Sequence, residues 1–177
     1  MIDLTSLANE IHEQNVKVGW WDDWPVKSDR YPTAMILVVS ELSEALEGDR
    51  KGLMDDHLPE FKCFDVELAD AMIRLLDLAG AYKMGISNAQ QSVSVDRMIT
   101  RMQNRDTVPE QLYEVAHQLF RSFIVRENIF SGITSVIAIA ELNNVDLWKL
   151  VALKRAYNKK RLDHKRENRV KKDGKKY

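Results

Sequence analysis

Two short pairs of carboxylates, each set inside an apolar run, constrain this chain more than any other feature. Glu41 and Glu44 form the first pair, and Glu67 and Asp70 form the second, both with i, i+3 spacing. On an α-helix this spacing projects both side chains from one face, about one turn apart. The flanking runs are more apolar than a surface helix needs. We therefore expect the four acids to lie at or beside a helix–helix interface.

Carboxylates gathered at such an interface repel one another unless a cation joins them. The two pairs offer oxygen ligands only, and no His stands at ligand spacing. A hard ion, Mg²⁺ or Mn²⁺, is the cofactor that this pattern predicts, with Glu41, Glu44, Glu67 and Asp70 as its ligands. The alternative is that these acids lie on solvated helix faces, where i, i+3 pairs are common.

Hydrophobic periodicity and capping residues predict helices throughout, and therefore an all-α helical bundle. The first four predicted helices cover residues 4–17, 33–47 (closed by Gly48), 59–84 (closed by Gly85) and 86–104. The capping box Thr107–Glu110 opens a fifth helix. After an interruption at Ser131 and Gly132, a buried run covers 133–140, and Asp146 caps the last helix. No strand alternation and no Gly-rich phosphate loop is present, which excludes Rossmann and P-loop nucleotide binding.

Aromatic and basic residues supply further candidate binding groups. Three indoles fall within five residues of a predicted loop: Trp20, Trp21 and Trp24. Such a cluster either fastens a loop to the core or offers a stacking platform for a nucleobase. On the last helix, an i, i+4, i+7 stripe is formed by Lys154, Asn158 and Arg161. This stripe is either a solvated basic face or a set of phosphate contacts. We expect Arg74 to pair with Asp70 or Asp77.

Composition places the chain among globular proteins, with 45% hydrophobic and 30% charged residues in 177. We expect one domain over 1–164, with 86–140 as a helical insertion, and a basic tail over 165–177. Residues 154–177 hold 12 Lys and Arg against 3 Asp and Glu, whereas the rest holds 14 against 24. The single Cys63 excludes an internal disulfide. With no signal peptide and no run of eighteen apolar residues, we expect a cytoplasmic protein without a membrane partner.

Five features of the sequence resemble the MazG-like all-α nucleoside triphosphate pyrophosphohydrolases. Glu-x-x-Glu is followed, after a gap of 22 residues, by Glu-x-x-Asp. The stretch Lys17–Asp23 (KVGWWDD) is similar to the "KGWWDE" segment of that family, and Ser40–Glu47 (SELSEALE) is similar to its metal helix. Near the C-terminus, Ala156–Arg161 (AYNKKR) is similar to the family's "AYNKTR", and the terminal GKKY is similar to its "GKKF". The resemblance covers roughly residues 1–85 and 140–177. It departs at Ser40, where many members carry an acid or a His, and at Leu162, where Pro is expected.

The resemblance implies Mg²⁺-dependent hydrolysis of an NTP or dNTP to the monophosphate and pyrophosphate. It also implies catalytic roles for the four acids and Lys154, nucleotide contacts from the indoles and the α-helical stripe, and a homo-oligomer. Two alternatives remain open. One is a catalytically silent nucleotide- or metal-binding regulator, and the other is a nucleic-acid-binding module that uses the basic C-terminus, although nucleic acid is the less favoured partner.

Overall fold

The computed structural model describes residues 2–22, 30–161 and 167, and in these residues it contains seven α-helices and no sheet. The helices are α1 (Leu4–Lys17), α2 (Tyr31–Lys51), α3 (Cys63–Ala81), α4 (Asn88–Met102), α5 (Val108–Phe120), α6 (Val125–Leu142) and α7 (Leu147–Asn158). The predicted all-α fold class is confirmed. Apart from Glu167, the predicted basic tail lies outside the described residues.

The helices that start with a side-chain N-cap start at the residues that the sequence predicted. Asp3 accepts hydrogen bonds from the backbone N–H groups of Thr5 and Ser6 at the start of α1, and Asp146 accepts one from Lys149 at the start of α7. The capping box of Thr107 and Glu110 is present at the start of α5. These side chains satisfy N–H groups that the helix itself leaves unpaired.

Two glycines that were predicted to end or interrupt helices instead lie inside them. Gly48 is buried in α2, which continues to Lys51 and ends at Gly52 with a φ of 62°. A Cβ atom at Gly48 would lie 2.7 Å from the Cβ of Cys63. Gly132 lies inside α6, where a Cβ atom would lie 2.6 Å from Leu119. Both predictions were wrong because these glycines serve close helix packing rather than helix termination.

Two further boundaries differ from the prediction. The second helix begins at Tyr31 rather than at residue 33, and Pro32 lies in its first turn. The third helix begins at Cys63 rather than Pro59 and ends at Ala81 rather than Met84. Residues 53–62 instead form a compact loop, in which Met54 and Lys62 make an isolated antiparallel bridge.

Helix α3 lies at the centre of the bundle. It is apolar on most sides and packs against α1, α2, α6 and α7, while α4 and α5 pack against α6. Its side chains Leu68, Met72 and Leu75 are fully buried. The buried apolar residues of all seven helices form one cluster, which includes those of the 86–140 segment. Among the described helices, none has the length and apolar character needed to cross a bilayer.

Candidate functional site

A cavity of about 550 Å³ lies between the C-terminal end of α1, the middle of α2 and α3, and the second half of α7. Its walls hold every predicted site residue that the structure describes: Trp20, Trp21, Glu41, Glu44, Glu67, Asp70, Lys154, Asn158 and Arg161. The predicted Trp24 lies outside the described residues. Residues far apart in the sequence are therefore brought to one place by the packing of α2 and α7 on α3.

Three of the four predicted acids form a compact group in this cavity. Glu41, Glu44 and Glu67 each offer a carboxylate oxygen, and these oxygens lie within 4.8 Å of one another. Glu41 and Glu67 are buried, whereas Glu44 is exposed. The Oε2 atom of Glu67 is buried and has no hydrogen-bond partner among the described residues. A set of oxygen donors with one unpaired buried oxygen fits a hard divalent cation.

The protonation of Glu67 reflects this crowding. Burial, and after it the charge of Asp70 and the contact with Glu41, raises the pKa of Glu67 to about 9. Without a cation the group therefore keeps a proton at neutral pH, because two ionised carboxylates cannot share a buried site at low cost. A cation bound by the three carboxylates would release that proton.

The fourth acid, Asp70, lies beside this group and forms an ion pair with Lys154. The Nζ atom of Lys154 lies 2.8 Å from Oδ2 of Asp70 and 3.8 Å from Oδ2 of Asp55. Burial raises the pKa of Asp70 to about 6, against the opposing charge of Lys154. Burial alone would lower the pKa of Lys154, but the two carboxylates raise it above its ordinary value. The ammonium is therefore charged although only 3% of the residue is exposed.

Asp55 is a site residue that the sequence analysis missed. Its Oδ1 atom accepts hydrogen bonds from the backbone N–H groups of His57 at 2.9 Å and Leu58 at 2.7 Å. This turn fixes the loop between α2 and α3 and places His57 in the cavity wall. An Asp that accepts from the N–H groups two and three residues later is a common turn motif, so the run Asp55–Pro59 carried a readable signal.

Arg74 forms its ion pair with Glu41, not with Asp70 or Asp77. The prediction was wrong because it considered only partners on the same helix. Glu41 reaches Arg74 across the α2–α3 interface, while Asp70 is engaged by Lys154. The guanidinium compensates part of the negative charge of the three-carboxylate group.

Trp21 is held in the cavity wall by a polar network on its ring. Its Nε1 donates to the Asp77 carboxylate at 3.1 and 3.2 Å, and Asp77 also accepts from Asn15 at 2.8 Å. The Nδ1 atom of His12 lies 2.8 Å from the same carboxylate, and the His12 ring meets the indole edge-on. On the ring face, the guanidinium of Arg30 lies 3.9 Å from the centroid. Trp21 is therefore both fastened to the core and part of the cavity.

The remaining predicted residues also line the cavity. The backbone oxygen of Trp20 accepts a hydrogen bond from Arg30 at 2.8 Å. Asn158 is half-buried, and its Oδ1 atom has no hydrogen-bond partner among the described residues. Arg161 is half-buried as well, with its guanidinium 5.9 Å from the ring centroid of Tyr157.

Comparison with protein-family models, with curated proteins and with solved structures found no match for this chain. The resemblance to the MazG-like enzymes stays a prediction that rests on the motifs in the sequence.

Proposed function

We propose that the chain is a Mg²⁺-dependent nucleoside triphosphate pyrophosphohydrolase that converts an NTP or dNTP to the monophosphate and pyrophosphate. One observation carries the proposal. Glu41, Glu44 and Glu67 converge in a cavity that also holds an indole and a row of cationic side chains. A metal-bound triphosphate joined to a flat base is a ligand that needs all three kinds of group.

Glu41, Glu44 and Glu67 would hold the cation, with Asp70 directly beside them. Mg²⁺ supplies neutralisation of the phosphate oxygens and activation of water when bound. The carboxylates also act in their own right, because an ionised carboxylate in this group can orient the attacking water and accept its proton. The burial of Glu41 and Glu67 keeps bulk water from competing for that position.

Cationic side chains balance the negative charge of a triphosphate. Those in the cavity wall are Lys17, Arg30, Arg74, Lys154, Arg155, Lys159 and Arg161. Lys154 is fixed by Asp70 and Asp55, so its charge is already in position when negative charge develops on the phosphates. Such a preorganised charge contributes several kcal/mol to a transition state, on the order of 3 kcal/mol for one group.

The base would lie against Trp21. Its ring is fixed by Asp77, and the guanidinium carbon of Arg30 lies 3.9 Å from the ring centroid. A base would take the place of Arg30 on that face or stack on the other face. Stacking is tolerant of base identity, so it favours binding rather than the choice of one base.

A pyrophosphate-release screen over all NTPs and dNTPs with Mg²⁺ tests the proposal. We expect equimolar monophosphate and pyrophosphate from at least one substrate, and none in the presence of a chelator. Removal of residues 165–177 should leave this activity intact. Release of orthophosphate, or no turnover of any nucleotide, would contradict the proposal. Nucleotide binding without turnover would favour the silent regulator, and salt-sensitive nucleic-acid binding lost with the tail would favour the third alternative.

A further inference from the structure

Two sets of three helices, α2–α3–α4 and α5–α6–α7, have the same arrangement. Within each set the first two helices pack together, and α3 packs against α6. The third helix of each set crosses to the other set, because α4 packs against α6 and α7 packs against α3. This exchange is the arrangement expected of two equivalent units related by a two-fold axis. Helix α1 stands outside it and packs on α3.

Both crossing helices begin near the start of the helix on which they pack. On α7, Lys149 lies over Phe61, which precedes α3, and Lys154 pairs with Asp70 further along. On α4, the first half lines a cavity of about 700 Å³ together with the first residues of α6. The starts of α4 and α6 thus lie beside one another, as those of α7 and α3 do.

The ends of α3 and α6 are closed by the same hydrogen bonds, a common helix C-cap that α1 also has, so these bonds give a register for comparing the two helices. At the end of α3, the N–H groups of Tyr82, Lys83 and Met84 donate to the backbone oxygens of Leu78, Gly80 and Ala79, in that order. At the end of α6, the N–H groups of Asn143, Asn144 and Val145 donate to the backbone oxygens of Ile139, Glu141 and Ala140, in that order. Each of these six positions in α3 corresponds to the α6 position 61 residues later (143 − 82 = 61). Lys83 and Asn144 also share a positive φ, of 48° and 56°.

The same shift of 61 aligns the acids of α3 with neutral residues of α6. Glu67 corresponds to Asn128 (67 + 61 = 128) and Asp70 to Ser131 (70 + 61 = 131), and both counterparts are buried. The Asn128 amide is fully paired: its oxygen accepts from the N–H of Ser122, and its nitrogen donates to the Ser122 carbonyl and the Tyr31 hydroxyl. In contrast to Glu67, Asn128 has no unpaired oxygen to offer.

The third helices align through their N-caps, Ser87 in α4 and Asp146 in α7 (146 − 87 = 59). This shift places Val95 at the position of Lys154 (154 − 59 = 95), and both residues are buried. The three charged groups Glu67, Asp70 and Lys154 thus all have uncharged counterparts in the second set.

We propose that the chain is a fused pair of equivalent units, in which the second carries uncharged residues at the positions of Glu67, Asp70 and Lys154 and takes the place of a partner protomer. The single site is then complete within one chain, because α7 of the second unit supplies Lys154 to α3 of the first. The resemblance implies a homo-oligomer, whereas this arrangement predicts a working monomer. Only the metal part of the inference rests on the proposed function.

Light scattering of the full chain tests the inference without any assay of activity. We expect a mass of 20.5 kDa over roughly a hundredfold range of protein concentration, and a Tm that does not change over that range. A mass twice as large, or a Tm that rises with protein concentration, would overturn the inference.

A Mn²⁺ titration followed by electron paramagnetic resonance tests which unit binds metal. We expect one class of site per chain, lost in Glu67→Gln and unchanged in Ser131→Ala, whose small side-chain change is the least disruptive in the second unit. Loss of Mn²⁺ binding in a folded Ser131→Ala protein, or a second class of site that survives Glu67→Gln, would overturn the inference. If the wild-type chain binds no Mn²⁺, the proposed metal site fails, and the mass measurement still decides whether the chain is a fused pair.

Discussion

At the scale of single residues, Lys154 has an environment unlike that of the other basic residues of α7. Its ammonium is buried between Asp70 and Asp55, whereas Lys159 is exposed. The stripe pattern of α7 could not show this difference, because burial depends on where α7 packs and not on its own sequence. Asp55, which completes the arrangement, lies some hundred residues earlier in the chain.

Replacing Lys154 by Met should destabilise the protein strongly. The change leaves Asp70 and Asp55 without their cation in a buried place, a loss of roughly 3–5 kcal/mol for a broken buried pair. Urea unfolding of the metal-free protein measures it. Lys159→Met is the matched control, and it should change the free energy of unfolding by about 0.5 kcal/mol or less. Equal effects of the two variants would show that Lys154 is not held by these carboxylates.

The Asp77→Asn variant should loosen Trp21. The amide nitrogen that replaces one carboxylate oxygen cannot accept a hydrogen bond, so at least one of the present bonds from Trp21 and Asn15 is lost. We expect the indole fluorescence to shift to longer wavelength. We also expect KM to rise with little change in kcat, by at most the roughly 1–3 kcal/mol that stacking of one base contributes. Asp96→Asn, on the exposed face of α4, is the control. An unchanged KM together with a lower Tm would mean that Trp21 only fastens the loop.

The raised pKa of Glu67 makes the stability of the metal-free protein depend on pH. Glu67 is protonated in the folded state up to about pH 9, while the unfolded side chain ionises near its ordinary value. The folded state therefore holds one more proton, and stability falls as pH rises towards 9. We expect a decline between pH 6.5 and 9 that Glu67→Gln removes, and a Mg²⁺ stabilisation that is larger at the higher pH. A decline that persists in Glu67→Gln would assign it to another group.

At the scale of helices, local capping was readable from the sequence and close packing was not. Asp3, Thr107 and Asp146 cap their helices through neighbouring backbone groups, so the signal is contained in a few residues. Gly48 and Gly132 face helices that are distant in the sequence, and their local pattern matches that of a helix end. Helix α6 therefore begins several residues before the predicted run.

A third interior glycine, Gly80, should resist substitution for the same reason. A Cβ atom there would lie 2.5 Å from the backbone oxygen of Ala8 and 2.6 Å from Cβ of His12. Helix propensity favours Ala over Gly by about 1 kcal/mol, but a backbone oxygen cannot move aside. We expect Gly80→Ala to lower the free energy of unfolding by roughly 1–3 kcal/mol. Gly85→Ala, with no atom within 4 Å of the new Cβ, should leave it nearly unchanged.

At the scale of the whole molecule, the acid pairs predicted the location of the site but not its division of roles. Spacing placed each pair on one helix face, and packing then set Glu41, Glu44 and Glu67 together and turned Asp70 towards Lys154. The second set of helices was not predicted as a repeat, because the counterparts of Glu67, Asp70 and Lys154 are uncharged. The correspondence lies in which helices pack together, and the sequence does not display that packing.

The proposed activity is tested by measuring pyrophosphate release at saturating Mg²⁺. Three proteins are compared: the wild-type chain, Glu67→Gln and Glu60→Gln. Glu67→Gln removes one charged ligand at nearly constant volume, while Glu60 is an exposed acid in the preceding loop. We predict equal rates for the wild-type chain and Glu60→Gln, and no turnover by Glu67→Gln with an unchanged circular dichroism spectrum. Turnover by Glu67→Gln at the wild-type rate would contradict the assignment of the carboxylate group as the active site.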